Sequence, residues 1–155
     1  MNLLKENKVR KNWNYRMRKE IFILDACALI AFFNDELGAD KVEKLFKNVI
    51  NEEAEIFLHA VNLFEVYYDC WKIKGKGKAD ELLLKVKNLP IVVERRFSDV
   101  LLLAAGYFKV NEKVSLADSV ALGLAKIKKA SVISSDHHEF DILENKKLIK
   151  FLWIR

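Results

Sequence analysis

Four short apolar runs, each nearly unbroken and each separated from the next by a helix-like stretch, constrain this chain more than any other feature. They are Ile21–Asp25, Glu55–Ala60, Pro90–Glu94 and Ala130–Ser135, and a fifth run, Ile149–Ile154, follows near the end. Strands that face water on one side alternate polar and apolar residues; unbroken runs fit strands covered on both faces, as in a parallel sheet. Between them, Ala39–Ile50 puts Val42, Leu45, Phe46 and Val49 on one helical face. Val61–Lys74, Ala79–Asn88 (after the Gly75-Lys-Gly77 break), Asp99–Val110 and Leu116–Lys129 also read as helices. Strands alternating with helices predict an α/β domain. Pro90, the only proline, is expected to open its strand, where a missing N–H costs least.

The 155 residues suit one domain with no internal repeat or linker, spanning 21–155 behind a basic arm at 1–20. The net charge of +5 resides in that arm, whose seven basic and two acidic residues leave the remainder neutral. Trp13 and Tyr15 sit among its cations, which suits phosphate contact with base stacking, although a solvated extension is the plainer expectation. Two cysteines, Cys27 and Cys70, are too few for a disulfide framework and read as buried free thiols in a reducing compartment. The apolar run Ile21–Phe33 is interrupted by Asp25, followed by Asn34-Asp35-Glu36, and too short for a bilayer span. The expectation is a cytoplasmic protein without a membrane segment.

Ligands of open parallel sheets bind at the carboxyl ends of the strands. Asp25 ends the first strand and Asp136 the fourth, Glu65 lies in the first turns of the helix after the second, and Asp118 lies in the first turn of the helix returning to the fourth. All four acids are therefore expected on one sheet edge, each in apolar surroundings such as Ile-Phe-Ile-Leu-Asp25-Ala-Cys-Ala-Leu-Ile. A lone carboxylate there would lose hydration or take up a proton, and four would repel one another. A hard divalent cation with oxygen ligands, Mg²⁺ or Mn²⁺, relieves both problems. Each acid also has a structural reading by itself. Ser115-Leu-Ala-Asp118 reads as a helix capping box, Asp25 as an acceptor of backbone N–H groups, Glu65 as an ion-pair partner and Asp136 as an Asx-turn.

At these residues the sequence resembles PIN-domain nucleases of the VapC toxin type, over roughly Ile21 to Ile142. The matching blocks are Ile-Leu-Asp25-Ala-Cys-Ala-Leu-Ile-Ala, Asn62-Leu-Phe-Glu65-Val, Ser115-Leu-Ala-Asp118-Ser-Val-Ala and Ile-Ser134-Ser-Asp136-His-His-Glu-Phe140-Asp141. The resemblance implies a three-layer domain with a five-stranded parallel sheet flanked by helices, and metal-dependent hydrolysis of RNA. Asp25, Asp118 and Asp136 would be metal ligands, and Glu65 would hold a second ion or orient water. Ser134 would support the last Asp. Asn62 and Asp141 are further candidates, the latter as a fifth carboxylate. Cys27 stands where many relatives carry a small hydroxyl residue. A cognate antitoxin and a homodimer are implied as partners. His137 and His138 read as loop residues rather than as a general base, and Tyr67, Tyr68 and Trp71 as core packing. Two rival readings are a non-catalytic RNA- or protein-binding module and a phosphatase or receiver phosphorylated on Asp25. The dehalogenase-type phosphatases want a second Asp where Cys27 stands.

Overall fold

The computed structural model describes residues 19–155. The basic arm therefore lies, except for Lys19 and Glu20, outside the described residues, and Glu20 opens the first strand. The elements are β1 (Glu20–Leu24), α1 (Ala26–Phe33), α2 (Ala39–Ile50), β2 (Ala54–His59), α3 (Ala60–Lys74), α4 (Lys76–Lys87), β3 (Val92–Glu94), α5 (Asp99–Asn111), α6 (Leu116–Lys128), β4 (Ser131–Ser134), α7 (His137–Asn145) and β5 (Lys150–Trp153). The five strands form one parallel sheet in the order β3-β2-β1-β4-β5.

Successive residues of β1 point to opposite faces, and both faces are covered. Phe22 and Leu24 join one core with Leu29, Val42, Phe46, Ile56, Leu58, Val66 and Val86, contributed largely by α1–α4. Ile23 joins the other with Leu101, Phe108, Leu122, Val132, Phe140 and Leu143, contributed largely by α5–α7. This double burial is why the first run is continuous rather than alternating. Helix α6 is buried on most of its circumference and lies against α5. A Cβ at Gly123 would stand 2.7 Å from the backbone nitrogen of Ala105, so glycine is what lets the two helices approach this closely.

Four expectations are corrected. Helices α1 and α7 were not read from the sequence; their apolar and charged stretches merged with neighbouring runs. Strand β3 begins at Val92, so Pro90 and Ile91 belong to the preceding turn. Cys27 and Cys70 are half-buried rather than buried, and Tyr68 and Trp71 are exposed on α3. Among the described residues no helix is long and apolar enough to cross a membrane.

Candidate active site

Strand β1 runs between β2 on one side and β4 on the other, so successive connections leave it in opposite directions. Such a switch point opens a crevice at the carboxyl edge of the sheet. Asp25 follows β1 directly and caps α1: its Oδ1 accepts from the Ala26 N–H at 2.6 Å. Its Oδ2 accepts from Ser134 Oγ at 2.9 Å, and its own N–H donates to the Ile133 carbonyl across the β1–β4 junction. Only 1% of Asp25 is exposed. Burial, then the charge of Asp118, and to a smaller extent that of Glu65, push its carboxyl up to about 7 despite the hydrogen bonds from Ser134 and Ala26.

Ser134, fully buried at the end of β4, also accepts from the Asp136 N–H at 3.0 Å. One hydroxyl thus ties the side chain of Asp25 to the backbone of Asp136. Asp136 caps α7 by accepting from the Glu139 N–H at 3.2 Å. Asp118 does form the expected capping box, accepting from Ser115 N–H and Oγ while Ser115 Oγ accepts from the Asp118 N–H. That cap uses Oδ2 and leaves Oδ1 without a bond to the helix end. Glu65 is half-buried on α3, and burial, then the charges of Asp118 and Asp69, raise its carboxyl. Asn62, one turn earlier, is buried and donates from Nδ2 to the Ala117 carbonyl at 3.1 Å, bracing α3 on the start of α6 beside Asp118. Its Oδ1 is buried without a partner.

The Cys27 thiol reports on the assembly. After burial, its ionisation is opposed by Asp25, Asp136, Asp118 and Glu65 in that order, so all four acids lie within electrostatic range of one half-buried side chain. Sequence reasoning missed a further member, Glu139. Hydrogen bonding with Asp118, then burial and the charges of Asp118 and Asp136, push its carboxyl up to about 7. Its Oε2 is buried without a hydrogen-bond partner. The available signal was the spacing Asp136-x-x-Glu139, an N-cap followed three residues later by an acid.

Asp141 is not brought to the cluster. It is exposed and meets His137 Nδ1 at 2.8 Å. His137 Nε2 lies 3.0 Å from the Arg155 carbonyl, and its ring stacks on Trp153 at 3.9 Å. Both ring nitrogens are occupied by acceptors, so His137 braces β5 and is not poised as a base.

The donor set suits a hard divalent cation: carboxylate oxygens from Asp25, Asp118 and Asp136, with Glu65 and Glu139 beside them. Burial and the neighbouring acids already drive Asp25, Glu65 and Glu139 toward their protonated forms, and an added positive charge would oppose that. Among the described residues no three His, Cys, Asp or Glu side chains converge closely enough to hold an ion as they stand.

A search of curated protein sequences finds no significant match. Solved structures match well. The chain superimposes on the DNA-bound VapBC of Salmonella typhimurium with TM-score 0.67 at 15% identity, covering 88% of this chain and 99% of that one. VapBC-1 of nontypeable Haemophilus influenzae gives 0.64 at 13% identity, with 86% and 98% covered. VapC20 of Mycobacterium tuberculosis, described as a Sarcin-Ricin loop cleaving toxin, gives 0.59 at 12% identity, with 79% and 95% covered. At these identities the likeness establishes the fold. A family model described as PIN domain matches residues 22–145, most of the chain and the span holding all five acids. The chain therefore belongs to the PIN domain family, the nuclease family that its acidic blocks resemble.

Proposed function

We propose that this protein is a metal-dependent ribonuclease and the toxin of a type II toxin–antitoxin pair. The observation that carries the reading is the placement of Asp25 and Asp136 just beyond β1 and β4 at the switch point of the sheet, tied together through Ser134, with Asp118 and Glu65 near enough to raise the Asp25 carboxyl. Asp25, Asp118 and Asp136 would hold Mg²⁺ or Mn²⁺, which when bound offsets charge on the phosphate and lowers the pKa of water. Asp25 must shed its proton to serve as a ligand, and the hydrogen bonds from Ser134 and Ala26 favour that charged form. Glu65 accepts no hydrogen bond from a neighbouring side chain or N–H group among the described residues, so its oxygens are free to take a proton from attacking water or to hold a second ion. The water oxygen adds to phosphorus and the 3′-oxygen leaves with a proton, giving a 5′-phosphate and a 3′-hydroxyl. Asn62 keeps Glu65 and Asp118 in register by joining their helices.

Two surfaces support the proposed partners. A groove of about 170 Å³ between α1, α3 and α4 has an apolar floor of Ile30, Phe33, Val66, Ile73 and Leu82 and a mixed rim of Asp69, Glu81, Lys74, Lys78 and Lys85. An amphipathic helix of an antitoxin fits such a floor and rim. Helix α5 exposes Val100, Leu103, Tyr107 and Val110, which recur at helical spacing and make a self-complementary face for a homodimer. Similar chains in solved structures come from toxin–antitoxin complexes. The reading is tested by purifying the chain and following cleavage of labelled RNA with Mg²⁺ or Mn²⁺. Cleavage lost on chelation and in Asp25→Asn supports it; cleavage indifferent to both refutes it.

A further inference from the structure

The carboxyl edge carries a second group of side chains that the acidic cluster does not use. Strand β3 ends at Glu94 and is followed by Arg95-Arg96-Phe97-Ser98 before α5 begins. In the sheet register Phe57 pairs with Ile23 of β1 and with Val92 of β3. Asp25 and Glu94 lie two residues beyond those partners and so stand level. Two strand spacings separate them, which puts the start of the loop about 10 Å from Asp25 on the same edge.

The loop is held rather than loose. The Arg96 N–H donates to Glu94 Oε1 at 2.8 Å, which also occupies the nearest carboxylate. Buried His59, the residue that caps α3, accepts from the Val61 N–H at Nδ1, so its Nε2–H faces the Arg96 carbonyl at 3.4 Å. The Phe97 ring packs edge-on against His59 with centroids 5.8 Å apart, yet 47% of the residue remains exposed. The helix that carries Glu65 and the loop that carries the arginines are therefore braced on one imidazole. Arg95 and Arg96 are exposed, and among the described residues neither forms an ion pair.

A site made of five acids repels a polyanion, so a nuclease of this kind needs cations nearby that hold the chain being cut. We propose that Arg95, Arg96 and Phe97 form a substrate-holding arm for single-stranded RNA. The two guanidinium groups take phosphates, and the Phe97 ring takes a base. The inference rests on the ribonuclease reading above. Paired cations beside an exposed aromatic ring suit single-stranded nucleic acid, whose bases stack while its backbone is neutralised.

The test measures fluorescence anisotropy of a short labelled single-stranded RNA with the full chain carrying Asp118→Asn, in Mg²⁺ so that binding outlasts the assay. Arg95→Ala with Arg96→Ala is expected to weaken binding at least tenfold. It should also flatten the slope of log affinity against log salt by about 1.4, as loss of two single-strand phosphate contacts requires. Phe97→Ala is expected to cost about tenfold with the slope unchanged, and Phe97→Tyr to restore affinity. In chains that keep Asp118, the same substitutions should raise KM and leave kcat near its starting value. Affinity and slope unchanged in the double variant, or no RNA binding by the parent chain, would overturn the arm. Arm-dependent binding without acid-dependent cleavage would support the arm while refuting the nuclease reading; acid-dependent cleavage with unaltered arm variants would do the reverse.

Discussion

Asp25 sits where water cannot hold its charge, and its neighbours are other acids. Its carboxyl titrates near 7 against an ordinary 3.8, so the folded state holds a proton that the unfolded chain has released between those values. The sign follows directly: without a cation, stability falls as pH rises from about 4 to about 7 and levels above that. Thermal unfolding in chelator across this range should show the decline, and Mg²⁺ or Mn²⁺ at pH 8 should reverse it; a flat profile would contradict the crowding described here. Ser134 is the second residue with a sharp expectation. Ser134→Ala removes the hydroxyl that Asp25 and the Asp136 N–H share, leaving a buried carboxylate oxygen and a part-buried N–H without that partner. A loss of about 1–3 kcal/mol is expected from denaturant unfolding, with metal affinity reduced further. At this scale the sequence pointed to Asp25, Glu65, Asp118 and Asp136 as candidates because each ends or follows a readable element. Glu139 stayed hidden because His137-His138-Glu139 looked like loop, and Asp141 was favoured although its partner is His137.

The elements place these residues, and their legibility depended on burial. Continuous runs marked β1, β2 and β4, because both faces of the sheet are covered. Helix α1 was merged into the run before it, since Ala26–Phe33 has no polar face; the N-cap at Asp25 was the only boundary mark. The α5–α6 contact has its own test. Gly123→Ala would ordinarily favour a helix, but here the added methyl meets the Ala105 backbone at 2.7 Å. The variant should lose about 1–3 kcal/mol, read as a lower midpoint of chemical unfolding. The outer face of α5 carries a different expectation. Leu103→Lys with Tyr107→Lys should convert the homodimer proposed above to a monomer in light scattering without unfolding the chain; an unchanged mass would place any self-association elsewhere.

For the molecule as a whole, topology turns separate residues into one site. Acids distant in sequence come to one edge of the sheet because β1 lies between β2 and β4, and because α3 and α6 both begin at the carboxyl edge. That arrangement was legible from alternating strands and helices. What the sequence could not convey were side-chain directions, such as the exposure of Tyr68 and Trp71 or the bracing of the Arg95–Ser98 loop on His59. The match to the PIN domain model and the likeness to solved VapBC structures agree with the fold read from pattern. The most direct measurement of the central claim is hydrolysis of a labelled RNA by the purified chain with Mg²⁺ or Mn²⁺, beside Asp25→Asn and Asp118→Asn shown to be folded. The account predicts cleavage that chelation abolishes and that both variants lower at least about a hundredfold, with 5′-phosphate ends on the product. Cleavage that persists in chelator and is undiminished in both variants would contradict it.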